Sequence, residues 1–311
     1  ADAAMLSRMM VPEMERKGYN RAFAAAITAG GSLVTPIIPP GIALIIYGLV
    51  ADVSIGKMFI AGLVPGLLCA VVLMFTVYLV ARKTNAKPSR ESWPTGKEVV
   101  FSLGQAWPAL FLIFAVVGGI RANIFTPTEA GAVAVLIVLA IGFFIYREMR
   151  ISHVVKALGE TARATASVML VIMASAALGW IFSMEHAGVA VANFVTSLTE
   201  NKYMFLLIIN ILLLTLGMFL EGNAILLILV PLLKPVVEHF GIDPVHFGII
   251  MIFNLSIGAF TPPVGTVMLL VCNITQVSVG NFFKQSLPLL AALLLMLMLV
   301  TYIPAISLFL V

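Results

Sequence analysis

Charge is scarce in this sequence. Only 10% of its 311 residues are Asp, Glu, Lys or Arg, and 61% are hydrophobic. A soluble domain carries about 25% charge, so a water-covered globular fold is excluded. Strand-like alternation is missing as well: "LLIINILLLTLGMFL" (206–220) does not alternate, which argues against a transmembrane barrel. The two cysteines, Cys69 and Cys272, lie in apolar runs without a CxxC or a nearby His, so they read as buried thiols and no metal or disulfide is inferred. The chain has no GxxxxGK[ST] phosphate loop, no HExxH and no GxSxG. Ionisable groups inside the apolar runs are nearly confined to Asp2 and Glu221, far apart and without His or Lys company. That speaks against an intramembrane enzyme. A channel would need a filter-like carbonyl run or a charged ring, and neither appears. The +4 net charge sits in the loops, so it bears on topology and not on a nucleic-acid partner.

What the chain does have is apolar length. Runs approach or exceed the roughly 20 residues that cross a bilayer. Spans read at about 23–51 (broken at 36–41), 58–81, 103–120, 130–146 and 164–184. The fold class is therefore an all-α polytopic membrane protein. No secretory signal is evident, and "ADAAMLSRMMVP" begins like the middle of an element, so a preceding N-terminal portion is expected.

An internal repeat follows from the proline and glycine positions. Adding 223 turns Pro12, Gly18, Pro39, Pro40 and Pro65 into Pro235, Gly241, Pro262, Pro263 and Pro288. "VSIGKMF" and "VSVGNFF" correspond one residue out of step. Five spans separate loop 12–22 from loop 235–246, and an odd number puts them on opposite faces, so the repeats are inverted. Charge agrees: this topology places 14 Lys/Arg on one side, against Lys57, Arg121, Lys202 and Lys234 on the other, as the positive-inside rule requires.

Segment 203–240 has Glu221-Gly222-Asn223 at its centre and reads as a re-entrant hairpin whose tip stops near mid-membrane. Asp2 is its expected counterpart, because its spacing to Pro12 equals that of Glu221 to Pro231. The words "TPIIPPG" (35–41) and "FTPPVG" (260–265) break two further helices. A proline removes a donor and disrupts the preceding turn, and hydrocarbon tolerates few unpaired backbone groups. Kinks and packing glycines would explain one such word; two inverted copies point to a binding site in a secondary transporter. Freed carbonyls with Ser, Thr and Asn oxygens suit Na⁺, and half-helix N-termini suit an anion. The candidate Na⁺ set is Gly30, Ser32, Thr35, Pro36, Glu221, Gly222, Asn223, Asn254, Gly258, Thr261 and Gly265, with Asn254 and Thr261 supplying side-chain oxygens. The candidate substrate set is Asp2, Pro39, Pro40, Gly41, Pro262, Pro263 and Thr266. No cofactor is expected beyond Na⁺ as coupling ion.

"ADAAMLSRMMVPEMERKGY", "TPIIPPGIALIIYG", "FTPTEAGAVAV" (125–135) and "GIDPVHFG…NLSIGAFTPPVG" (241–265) together resemble the large membrane subunit of tripartite ATP-independent periplasmic (TRAP) transporters, over the whole chain. The resemblance implies an elevator-type fold in the bacterial inner membrane. It also implies a small membrane subunit, a periplasmic binding protein that delivers an organic acid (C4-dicarboxylate, sialic acid or sugar acid), and Na⁺-driven uptake. In the family a Ser/Gly-rich tip precedes the equivalent of Ala1-Asp2. The implied organisation is transport repeat 1 at 1–56 and scaffold helices with an interfacial arm at 57–163. A connecting span and interfacial segment follow at 164–202, transport repeat 2 at 203–282 and a final scaffold helix at 283–311. A stand-alone sodium/dicarboxylate symporter of related fold is the alternative, with a channel behind it.

Four further readings concern single segments. Thr126 or Thr128 before Glu129 reads as a helix N-cap with an acid in the first turn. Segment 152–163 reads as a basic amphipathic arm along the cytoplasmic interface, with membrane lipid as its partner, and 187–200 as a second interfacial segment. His153, His186, His239 and His246 read as ordinary interfacial histidines, and Trp93, Trp107 and Trp180 as interface anchors. Lys83 to Glu98 reads as a polar linker.

Overall fold

Backbone groups in hydrocarbon must pair within their own segment, and the computed structural model is accordingly helical throughout. It describes residues 2–83, 95–122, 124–185 and 187–311. Trp93, His186 and most of the 83–98 linker lie outside the described residues. The helices are α1 (Asp2–Arg16), α2 (Arg21–Ser32), α3 (Ile42–Ala51), α4 (Ile55–Lys83), α5 (Gly96–Arg121), α6 (Pro127–Ala140), α7 (Ile151–Met184), α8 (Ala187–Leu198), α9 (Lys202–Phe219), α10 (Gly222–His239), α11 (Pro244–Phe260), α12 (Thr266–Thr275), α13 (Val279–Tyr302) and α14 (Ala305–Leu308). A π-helical turn, Ile141–Ile145, extends α6. Among the described residues six helices are long and apolar enough to span a membrane, or seven when the bent α5 is counted as one.

The chain divides into two units, residues 1–89 with 179–311, and residues 90–178. In the first, the order α1–α2–break–α3–α4 recurs as α10–α11–break–α12–α13. Loop detail recurs with it. Gly18 and Gly241 both take positive φ, 85° and 61°, and the following N–H groups reach back to Met14 and Val237 at 3.0 Å in each case. Asn20 caps α2 by accepting from the Ala22 and Phe23 N–H groups; Asp243 caps α11 by accepting from those of Val245 and His246. Past the breaks the register becomes 224. Asp52 and Gln276 are the left-handed C-caps of α3 and α12, and the Ser54 and Ser278 hydroxyls accept from Lys57 and Asn281. One residue is thus inserted at the second break, and Pro65 corresponds to Leu289, not to Pro288. The register also places Asp2 opposite Ile225, one turn into α10, and not opposite Glu221.

Contacts between the repeats are reciprocal: α1 packs on α12 and α10 on α3; α2 packs on α13 and α11 on α4. Such exchange is the signature of a two-fold relation. Direction follows from α11. Near its start, Gly248 abuts Met58 at the beginning of α4. At its end, Phe260 meets Phe282 at the beginning of α13, with ring centroids 5.5 Å apart. Equivalent helices start at opposite ends of α11, so the repeats are inverted. Helix α11 is buried on nearly every side, as expected of a helix apolar all round. It crosses α9 at Gly217–Gly258, where a Cβ on Gly258 would stand 2.7 Å from the Gly217 backbone.

The second unit holds α5, α6 with its π-turn, and most of α7. Between Gly96–Pro108 and Leu110–Arg121, α5 bends by 59°. It begins at Gly96, inside the expected linker, because the Thr95 N–H bonds the Glu98 carboxylate in a capping box. Thr126, not Thr128, caps α6: its N–H donates to Glu129 at 2.8 Å and its hydroxyl accepts from the Glu129 N–H. The expected arm and span at 152–184 form one continuous helix. No proline interrupts it, and its two glycines, Gly159 and Gly179, cost only about 1 kcal/mol each.

Gly258→Ala should lower the stability of the detergent-solubilised protein by about 1–3 kcal/mol, since the added methyl meets backbone and not a movable side chain. Gly131→Ala, with open space around its Cβ position, should not. Thermal melts of the two variants check this.

Candidate functional site

A cavity of about 180 Å³ joins both helix breaks to the α9–α10 turn. The first repeat supplies Ser32, Leu33, Pro36 and Ala43, and the second supplies Leu255, Ser256, Ala259 and Val267. These are register equivalents, pair by pair, so the cavity sits where the two-fold relates the repeats. Thr266 and Ile252 also line it, and Glu221, Gly222, Asn223 and Leu226 close it from α10. The hairpin tip therefore lies at the level of the breaks.

The polar chemistry is one-sided. Among the described residues the lining contains Ser, Thr, Asn and Glu but no Lys, Arg or His. The Ser32 hydroxyl donates to the Ala29 carbonyl at 2.7 Å, and Ser256 donates to Ile252 at 2.8 Å. Their donors are used and their lone pairs remain free. Glu221 caps α10: one carboxylate oxygen accepts from the Ala224 N–H at 3.0 Å, the other from the Asn223 amide at 2.7 Å. Helices α3 and α12 also begin at the cavity, and their caps, Gly41 and Gly265, carry no side chain. Their first N–H groups are the unpaired donors that favour an anion.

Behind these starts lie freed carbonyls. Among the described residues no donor meets the carbonyls of 35–40 or 259–264. Two pairs of them converge in equivalent fashion. A Cβ on Gly41 would strike the Pro36 oxygen and approach that of Ile38; a Cβ on Gly265 would lie 2.6 Å from the Thr261 oxygen and 3.1 Å from that of Ala259. Only glycine leaves these carbonyls room, and Gly265 also sits at φ 43°. Its N–H bonds Met218 O at 2.9 Å, fixing the second break to the end of α9. Pro39–Pro40 and Pro262–Pro263 are cis. Among the described residues there is no cluster of three or more His, Cys, Asp or Glu side chains fit for a metal.

Of the candidate residues, Ser32, Pro36, Glu221, Gly222, Asn223 and Thr266 line the cavity. Gly41, Thr261 and Gly265 belong to the carbonyl clusters. Thr35, Pro39, Pro40, Pro262 and Pro263 form the breaks without lining the cavity, and the Thr261 hydroxyl is engaged with Ile257 O at 2.7 Å. Gly30 packs on Leu289. Asp2 is exposed and away from the lining. Asn254 and Gly258 face α9: Gly258 is the crossing-point glycine, and the Asn254 amide donates to the Asn210 backbone and side-chain oxygens at 2.9 and 2.7 Å.

Sequence reasoning missed this second polar layer. Asn210 passes its own amide to Thr301 at 3.0 Å. His246, read as interfacial, is buried, with its ring bonded to Ser307 at 2.6 Å and near Thr301 O. The Asn254 Oδ1 atom is fully buried and has no partner among the described residues. A lone Asn inside "LLIINILLL" was the available signal. Asn210→Ala removes one of the two acceptors of the Asn254 amide and the donor to Thr301, leaving only the backbone oxygen, so it should cost about 1–3 kcal/mol. Asn254→Leu added to it should cost less than the sum of the single changes, read from thermal melts of the three variants.

Comparison with known proteins gives this constellation its context. Residues 1–306 match the family "Tripartite ATP-independent periplasmic transporter, DctM component". The chain is 39% identical over 312 residues to the C4-dicarboxylate TRAP transporter large permease protein DctM of Pseudomonas aeruginosa, covering 99% of this chain and 72% of that one. It is 38% identical over 314 residues to the sialic acid TRAP transporter large permease protein SiaM of Vibrio cholerae, covering 100% and 72%. It is 37% identical over 309 residues to the isethionate TRAP transporter permease protein DctMQ of Oleidesulfovibrio alaskensis, covering 99% of this chain and 48% of that one. With inverted repeats, paired breaks and this match over nearly its whole length, the chain belongs to the DctM family of TRAP transporter large permeases.

Proposed function

We propose that this multi-pass membrane protein is the permease subunit of a Na⁺-coupled secondary transporter. It imports an organic acid across the bacterial inner membrane, working with a small membrane subunit and a periplasmic binding protein. The observation that carries the reading is the cavity on the repeat axis, which offers oxygens to a cation and two uncapped helix starts to an anion. Na⁺ is a hard cation that takes oxygen ligands. The carbonyls converging at Gly41 and Gly265, with the Ser32 and Ser256 lone pairs, are suitable donors. The substrate carboxylate docks against the N-terminal turns of α3 and α12. The relatives' named substrates, C4-dicarboxylate, sialic acid and isethionate, are all acids, which supports an anion in this place. An elevator movement carries the two breaks and the α10 tip together, since one cavity already unites them. The chain performs transport, not catalysis.

Uptake into proteoliposomes tests the reading, with radiolabelled organic acids, binding protein and small subunit supplied. Accumulation should require an inward Na⁺ gradient and should not respond to ATP. Uptake persisting in Na⁺-free buffer would overturn the coupling. Equilibration without accumulation would indicate a passive pore. Ser32→Ala with Ser256→Ala should raise the Na⁺ midpoint about 5–30-fold, the equivalent of about 1–2 kcal/mol of lost coordination. An unchanged midpoint in folded protein would displace the ion from this cavity.

A further inference from the structure

The second unit contains a larger cavity that the transport reading does not use. It measures about 410 Å³, within the roughly 300–1,000 Å³ of small-molecule pockets. It opens where α5 bends at Pro108 and leaves α6. Its walls are Pro108 and Leu112 of α5, Val138 of α6 and Ile141 of the π-turn. Its polar rim is Tyr146, Glu148 and His153.

The loop between α6 and α7 builds that rim. Arg147 takes the left-handed conformation, φ 54°, and the chain turns back so that the Met149 N–H reaches Gly142 O at 3.4 Å. Beyond the turn, the Arg150 N–H bonds the His153 ring at 3.4 Å. Two exposed arginines alternate along the chain with these lining residues without themselves lining the cavity: Arg147 lies between Tyr146 and Glu148, and Arg150 follows Met149. Among the described residues neither arginine has an ion-pair partner, whereas nearby Lys156 is shared with Glu160. The loop that borders the pocket, Arg147-Glu148-Met149-Arg150, therefore carries net positive charge, with Glu148 its one charged residue in the lining. The Lys/Arg bias puts the same loop on the cytoplasmic side, where the leaflet is anionic.

We propose that this pocket binds an anionic phospholipid, with one acyl chain between Leu112 and Val138 and the phosphate at Arg147 and Arg150. An acyl chain supplies the apolar length that the walls require, and the phosphate supplies the charge that two unpaired arginines require. A zwitterionic headgroup supplies less of the second. An apolar partner helix satisfies the walls alone.

Native mass spectrometry of the purified protein tests this, after incubation with vesicles of equal parts phosphatidylglycerol and phosphatidylcholine. The wild type should retain one phosphatidylglycerol. Leu112→Trp and Val138→Trp each fill the cavity and should release it, with elution from size exclusion showing which variants remain folded. Arg147→Gln with Arg150→Gln leaves the walls intact. It should reduce the preference for phosphatidylglycerol about 10–30-fold, the sum of two surface cations. Equal retention of both lipids by the wild type, or undiminished retention by a folded Trp variant, would overturn the proposal. Release of the lipid when the small membrane subunit is added would assign the pocket to a protein helix and overturn it equally.

Discussion

The structure depends on one constraint: a peptide group inside hydrocarbon must be hydrogen-bonded or bound to something else. Each unsatisfied group costs several kcal/mol. Continuous helices such as α4 and α13 meet the demand internally. The breaks after α2 and α11 do not. Among the described residues they leave the carbonyls of 35–40 and 259–264 without a donor, and two helix starts without a capping side chain. Prolines enforce the break on the donor side, while Gly41 and Gly265 keep the carbonyl side open by having no Cβ. What would be defects in a packing helix become a cation-seeking face and an anion-seeking face, back to back.

Inversion turns two such breaks into one site. The lining residues correspond pair by pair between repeats, yet the polar group changes place: Ser32 answers to Leu255, and Leu33 to Ser256. The cavity is thus two-fold in shape and asymmetric in chemistry. The α10 tip adds to the asymmetry, because Glu221 and Asn223 cap a helix from one side.

Much of this was legible from punctuation. Gly18 and Gly241 turn with positive φ, and Asn20 and Asp243 cap, for local reasons, so the 223 register survives into three dimensions. Charge bias and span parity predicted an inversion that the contacts along α11 show. Helix faces were harder. Asn254 and Gly258 share one face of α11; Ile252, Leu255, Ser256 and Ala259 share another. Which face meets the cavity is decided by the close Gly217–Gly258 crossing, a tertiary fact with no local signature. Asp2 was misaligned for a related reason. Its match to Glu221 rested on Pro231, whereas the capped loops at 18–20 and 241–243 fix Pro12 opposite Pro235. The buried His246 was read as interfacial because it begins a helix. Its partners Thr301 and Ser307 come from a distant segment that folds back over α11.

Electrostatics connects the two faces of the breaks. Among the described residues Glu221 is the one acidic side chain in the cavity lining, and no basic side chain there offsets it. Its carboxylate oxygens accept from the Ala224 N–H and the Asn223 amide, and they offer an anion no donor. Uncapped helix starts supply only about half a positive charge each. In the proposed cycle an organic acid therefore binds well only after a cation occupies the carbonyls behind those starts. Cation and acid then stabilise one another, and linkage makes that coupling reciprocal. In that cycle the need for a cation rests on a lining that, among the described residues, contains oxygens, helix starts and one carboxylate but no Lys or Arg.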